Sequence, residues 1–161
     1  MSGLRPTLTI NDRIETRVDA GADWLFRQLC DPAQIVACVP GATLTRQVDA
    51  DRFEAWMTVG LGALAMRYAG QGLLIASGHR TRRLAVVLRG TDMLGTSSAD
   101  AWLIAAVERD GTGALVRARI RLELAGGAAR LSKRLVEAVA RRLIEQTAET
   151  MRRRFAGLPV S

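Results

Sequence analysis

Histidine and lysine are almost missing from this chain: His79 is the only imidazole and Lys133 the only lysine. A zinc-type centre needs several soft or imidazole ligands close together. A hydrolytic triad needs a base set between a nucleophile and an orienting acid. His79, in the turn Ser77-Gly78-His79-Arg80, supplies neither set, so it is read as a surface residue, and no metal or catalytic residue is expected. Cysteine is scarce as well. Cys30 and Cys38 lie on either side of Pro32 without a Cys-x-x-Cys spacing. They are expected to be small buried apolar residues in a reducing, cytoplasmic setting. Aromatic residues make up only 4% of the chain, so small aliphatic side chains must fill its core. No apolar run approaches the roughly 18 residues of a membrane span. The N-terminus shows no apolar segment or cleavage site, so no signal peptide is expected. Gly60-Leu61-Gly62 lacks the further glycine and the helix of a dinucleotide fingerprint.

What the chain has in excess is arginine, which supplies every basic residue except Lys133 in a net charge of +7. An arginine-rich, GC-rich coding background explains this bias, although guanidinium surfaces favour anionic partners. Nucleic acid is not expected among them, because no stacking aromatics are interleaved with the arginines. At 161 residues and 48% hydrophobic, the chain suits a single domain over 1–161.

Alternation over residues 7–18 predicts a half-buried strand, with Leu8, Ile10, Ile14, Thr16 and Val18 on one face. Ala20 to Leu29 reads as a helix burying Trp24, Leu25 and Leu29. In the next segment Asp31 can cap a second short helix, Pro32 suits its first position, and Pro40-Gly41 stops it. Strands are then expected over 44–48, 52–59, 63–75, 82–89, 95–108 and 113–124, the last two forming a hairpin. In the last of these, Val116, Ala118, Ile120, Leu122 and Leu124 alternate with Arg117, Arg119, Arg121 and Glu123, giving one wet face. A long helix is expected from Ala128 to about Phe155, with Leu131, Leu135, Val139, Leu143 and Ile144 as its apolar stripe.

A strand, two short helices, many strands and a long final helix form the order of an α+β helix-grip fold. Six or seven antiparallel strands curve around the last helix, and the two short helices plug one end. A curved sheet and a straight rod cannot touch everywhere, so the gap is either packed or open to a ligand. Candidate lining residues are Phe53, Ala55, Met57 and Val59 from one strand, Tyr68, Val86, Leu88 and Ile120 from others, and Leu135 and Val139 from the helix. Periodicity does not separate a filled core from a cavity. Asp100 and Trp102 share a strand face and are read as surface residues, although an inward Asp100 would be a carboxylate with a raised pKa. The long helix is decorated by Arg130, Lys133, Arg134, Arg141, Arg142 and Arg152 to Arg154. Its basic face is read as solvated, or as a place where a partner docks.

Asp31-Pro32 followed by Cys38-Val39-Pro40-Gly41-Ala42 resembles the D-P … C-x-P-G segment of the CoxG-type proteins of carbon monoxide dehydrogenase, which belong to the START-like (SRPBCC) superfamily. Val59-Gly60, Tyr68-Ala69-Gly70, Arg89-Gly90, Gly95, Gly111-Thr112 and Gly126-Gly127 through Leu131 are similar to further family positions, in order. The likeness runs from about Ile10 to Phe155. It departs at Tyr68, where phenylalanine is usual, at Gly113-Ala114, and in the basic stretch from Arg130 to Arg142. The resemblance implies a non-catalytic accessory protein of a molybdenum hydroxylase complex, serving its maturation, membrane recruitment or electron transfer to quinone. It implies an apolar small molecule, such as a quinone, as ligand, with no covalently bound cofactor. Pro40, Gly41, Arg141 and Arg142 are the candidate partner-docking residues. Some members carry a tail that reaches a membrane. Here the sequence stops at Ser161, so peripheral contact with the inner face of a membrane is allowed but not required. The alternative is a small polyketide cyclase/aromatase-like enzyme on the same fold, which would need polar groups such as Asp100, Arg67 and Thr58 to converge inside.

Overall fold

The computed structural model describes residues 6–78 and 80–157. The expectations for His79 and for the first five residues lie outside the described residues. The elements are β1 (Thr7–Val18), α1 (Ala22–Leu29), α2 (Pro32–Cys38), β2 (Ala42–Gln47), β3 (Arg52–Leu61), β4 (Leu64–Ala76), β5 (Arg83–Asp92), β6 (Ser97–Asp110), β7 (Gly113–Gly126), a 3-10 turn (Gly127–Arg130) and α3 (Lys133–Phe155). The seven strands form one antiparallel sheet in the order β1-β7-β6-β5-β4-β3-β2. This is the expected helix-grip arrangement.

Local chemistry sets the two short helices. In α1 the buried residues Ala22, Leu25, Phe26 and Leu29 recur at three- and four-residue spacing, so one face is apolar. Asp23 in its first turn and Arg27 in its last oppose the helix dipole. The Asp31 carboxylate accepts the Ala33 N–H at 3.0 Å, and Pro32 occupies the first turn of α2. After α2 the chain turns at Gly41 (φ 80°), where a Cβ would meet the Thr58 carbonyl oxygen at 2.5 Å. The Thr58 N–H donates to the Gly41 carbonyl at 3.0 Å. Only glycine permits both the left-handed turn and this approach.

The final helix differs from expectation. The segment from Ala128 is not one rod: the 3-10 turn ends at Arg130, Leu131 is extended, and Ser132 caps a fresh start by accepting the Leu135 N–H at 3.5 Å. Its most buried residues are Val136, Ala148 and Phe155, while Leu135 and Val139 are half-buried. A row of strict four-residue steps winds about 40° per step around an α-helix, so the 131-135-139-143 row drifts off the buried face. Val136 clusters with Ile10, Arg152 donates to the Thr16 hydroxyl at 2.6 Å, and the Gly157 N–H donates to the Asp19 carbonyl at 2.9 Å. These contacts lay α3 alongside β1 over most of its length. Phe155 meets Trp24 of α1 edge-to-face, ring centroids 5.7 Å apart, which ties the end of α3 to the plug.

Among the described residues no helix is long and apolar enough to cross a membrane, and no three His, Cys, Asp or Glu side chains gather as metal ligands.

Candidate functional site

Cross-strand partners share a face of a sheet, so the register assigns the concave side. Phe53, Gly72, Leu88, Ala101, Leu122 and Ile10 form one row across it. A second row runs Ala55, Gly70, Gly90, Ala99, Leu124 and Leu8. A third runs Leu74, Val86, Leu103, Ile120 and Asp12. Met57 faces Tyr68, which faces Asp92. Of the sheet residues expected to line a site, Ala55, Met57, Tyr68, Leu88 and Ile120 share this face, with small residues at its centre. Phe53 and Val86, on the same face, are instead packed into the buried core.

This surface is not uniformly packed. One buried cluster gathers Val18, Leu25, Phe26, Phe53, Leu74, Val86, Val107, Val116 and Phe155 at the plugged end. A separate cluster holds Ile10, Leu124, Ala128 and Val136 where α3 begins. Between them Asp12, Ala101 and Ile120 are half-buried, and Leu88 is 38% exposed although its register places it inward. Helix α3 leans mainly on β1 and more lightly on α2 and β3. It thereby spans the middle strands instead of filling the space above them. Leu135 and Val139 flank its buried line.

One polar cluster of the concave side sits at the rim. The Asp92 carboxylate accepts the N–H (2.7 Å) and hydroxyl (2.5 Å) of Thr96 and the N–H and hydroxyl of Ser97 (both 3.1 Å). The Thr96 hydroxyl bond foremost, with the other three helping against burial, holds the Asp92 pKa below its ordinary value. Tyr68 extends this network: its hydroxyl lies 3.3 Å from the Ser97 hydroxyl. Asp12, on the inward face of β1, is a functional candidate that the sequence reading passed over. The alternation that identified its neighbours also places it inward.

The other candidates lie elsewhere. Asp100 and Trp102 are on the convex face, as read from the sequence: Asp100 is 4.0 Å from Arg89, and the Arg121 guanidinium lies over Trp102 at 5.8 Å. Arg67 stacks on the Trp56 ring at 3.2 Å, and Thr58 is exposed, so neither joins a polar group inside the grip. Gly41 is exposed beside Thr58, and Pro40 is half-buried. Arg141 and Arg142 are exposed on α3, with no ion pair among the described residues. Cys30 is half-buried and Cys38 buried, both as free thiols, and burial pushes both thiol pKa values up. A shallow recess of about 590 Å³ opens elsewhere, lined by Asp23, Arg27, Arg80, Arg82 and Arg109. There Asp23 binds Arg82 at 3.0 Å and Arg109 at 3.1 Å, and the Arg82 bond leads in lowering its pKa. A smaller recess of about 300 Å³ lies against Thr45, Glu54, Trp56, Ala69 and Gln71, with Ala55 and Gly70.

A family profile, that of the carbon monoxide dehydrogenase G subunit (CoxG), matches residues 15–156. Among solved structures, a conserved protein from Geobacillus kaustophilus is 17% identical, with 92% of this chain and 95% of that one covered, at a TM-score of 0.75. Truncated norcoclaurine synthase from Thalictrum flavum is 16% identical over 98% of this chain and 99% of its own, at 0.64. The Zhui aromatase/cyclase from Streptomyces sp. R1128 is 12% identical over 92% and 93%, at 0.57. At these identities the likeness is one of fold, and the fold is that of the START-like, Bet v1 and polyketide cyclase proteins. No curated protein matches by sequence.

Proposed function

Because the chain belongs to the CoxG family of carbon monoxide dehydrogenase proteins, we propose that it binds a flat apolar molecule such as a quinone in the concavity beneath α3. In this reading it is an accessory protein of a molybdenum hydroxylase complex of the carbon monoxide dehydrogenase type, acting in maturation, recruitment or quinone delivery. The observation that carries the ligand reading is Leu88, a leucine on the inward face that stays 38% exposed between two buried clusters. Apolar surface left wet inside a grip gains free energy when a ligand covers it. Gly70, Gly90, Ala99 and Ala101 leave the floor low enough for a planar ring. Tyr68 would donate from the rim to a carbonyl oxygen, a bond a quinone accepts.

The cyclase-like alternative loses its stated polar groups, since Thr58, Arg67 and Asp100 do not point into the concavity. We place the protein in the cytoplasm, in keeping with its two free thiols. Pro40, Gly41, Arg141 and Arg142 are the residues we propose to meet the partner enzyme.

Native mass spectrometry of the protein purified from its own host, with organic extraction, tests the cargo. A co-purifying quinone or other apolar molecule supports the proposal. A protein that arrives empty and binds no added quinone overturns it. The partner is tested by co-purification with a molybdenum hydroxylase from the same cells, and by loss of that complex on Arg141→Glu with Arg142→Glu.

A further inference from the structure

Four arginines converge on the recess of about 590 Å³ at the plugged end of the sheet. Arg27 comes from α1, Arg80 and Arg82 from the turn before β5, and Arg109 from the end of β6. Among the described residues Asp23 is the one carboxylate in the lining. Like charges repel, so folding alone gains nothing from gathering four guanidiniums around a single acid.

Two of the four are fixed in place. The Arg82 Nε–H donates to the Val107 carbonyl at 2.9 Å, and the Val107 N–H donates back to the Arg82 carbonyl at 2.9 Å. Asp23 accepts Arg82 on one carboxylate oxygen at 3.0 Å and Arg109 on the other at 3.1 Å. A guanidinium carries five N–H donors, so both arginines keep donors that these bonds do not use. The turn itself is tied by other groups: the Ser77 hydroxyl lies 2.6 Å from the Thr81 hydroxyl and accepts the Arg83 N–H at 3.0 Å. Arg27 and Arg80 are exposed and, among the described residues, neither is in an ion pair. Glu108 and Asp110, on either side of Arg109 in sequence, are already paired with Arg117 and Arg17. The positive charge of the recess is therefore left uncompensated.

We infer that this recess binds a small organic phosphate, its phosphoryl oxygens held by Arg27, Arg80 and Arg109 with Arg82 as the fixed base. A phosphate monoester carries a charge of about −1.5 to −2 at neutral pH, closer to the surplus here than a single carboxylate offers. Its tetrahedral oxygens accept from guanidiniums that arrive from three separate elements, whereas a planar carboxylate suits one or two forks. The recess is larger than one phosphate group needs, which leaves room for an organic part. The described lining holds no aromatic ring on which a base could stack, so it reads the phosphate and not a nucleobase. None of the lining residues belongs to the proposed quinone site, so failure of either reading leaves the other standing.

Isothermal titration calorimetry with inorganic pyrophosphate in low-salt buffer tests it, with tricarballylate as a carboxylate of comparable charge. Saturable binding of pyrophosphate, tighter than that of tricarballylate and weakened by added salt, is expected. Arg27→Ala with Arg80→Ala should weaken it about tenfold or more. Neither residue has an ion pair to lose, and circular dichroism checks that the fold persists. Arg82 is left intact because it holds the turn. Arg13→Ala with Arg119→Ala removes the same charge from the convex face, where the two are exposed cross-strand partners, and should leave pyrophosphate binding unchanged. No saturable binding of pyrophosphate overturns the inference. So does equal weakening by both pairs of substitutions, since diffuse charge then accounts for it. Tricarballylate bound as tightly as pyrophosphate overturns the phosphate assignment. A poly-glutamate peptide that binds more tightly than pyrophosphate and is lost with Arg27 and Arg80 also overturns it, because an acidic protein segment is then the occupant.

Discussion

The ring of Phe53 occupies the space in which a Cβ of Gly72 would stand: an added methyl would fall on the far edge of that ring. The two residues are cross-strand partners on the concave face, and Phe53 is only 2% exposed. The glycine thus gives one of the few aromatic residues a seat in a core otherwise built from small side chains.

Gly72→Ala should therefore displace the ring and cost about 1–3 kcal/mol of stability, the usual range for overpacking. Urea denaturation measures it. Gly60→Ala is the control, because nothing lies within 4 Å of a Cβ there, and it should leave the midpoint nearly unchanged.

Filling the space beneath α3 should separate binding from folding. Leu88→Trp places a large ring where the inward surface is still wet, and quinone binding should fall at least tenfold while the unfolding midpoint holds. The matching change at Ile104, 61% exposed on the convex face, should leave binding intact. Equal binding by both variants would remove the concavity from consideration.

Acid should loosen the β5–β6 turn before the rest of the sheet. The Asp92 pKa is lower in the folded protein than its ordinary value, chiefly through the Thr96 hydroxyl bond. A depressed carboxylate pKa contributes stability that is fully present above the unfolded value, near 3.9, and is lost as pH falls through the folded value. Hydrogen exchange at Gly95 to Ser97 should therefore accelerate below about pH 4. In Asp92→Asn that exchange should be faster already at neutral pH and respond less to acid.

Asp23 anchors Arg82, whose side chain is only 17% exposed and whose backbone holds φ 45°, a strained value outside glycine. The same guanidinium donates to the Val107 carbonyl at 2.9 Å. Asp23→Ala leaves that half-enclosed cation with one partner fewer, and a lowered melting temperature is expected. Because the Asp23 pKa is also depressed, with the Arg82 bond as its leading cause, the difference between wild type and variant should shrink as pH falls below about 4. Melting curves across pH 3–7 check both signs.

Cys38 should alkylate slowly at neutral pH and Cys30 somewhat faster, since burial raises both thiol pKa values and encloses Cys38 more fully. Mass spectrometry during iodoacetamide treatment gives the two rates.

The sequence revealed the element order because its signals are local. Asp31 and Pro32 mark a helix start, Gly41 a stop, and the alternation from Val116 to Leu124 one wet and one dry face. Asp100 and Trp102 could be placed outward for the same reason. What it concealed depends on contacts distant in sequence. The rotation of α3 onto Val136 follows its packing with Ile10 and Leu124, whereas the break at Leu131-Ser132 carried a local mark, Ser132 as helix cap. Strand β2 starts early, at Ala42, and shifts register between Leu44 and Arg46, an irregularity that alternation alone does not show. The half-exposed state of Leu88 depends on how far the sheet bends beneath α3, which no periodicity encodes.

The first strand also waits longest for its neighbour. Thr7 pairs with Ala125 and Val18 with Ala114, so β1 emerges from the ribosome with an apolar face and no adjoining strand. At 5–20 residues per second the roughly 100 intervening residues take about 5–20 s to synthesise. The hairpins β3–β4, β4–β5 and β5–β6 close locally in the meantime, but the grip cannot shut until β7 is out. For those seconds β1 is the segment most open to chaperones and to mispairing with other nascent chains.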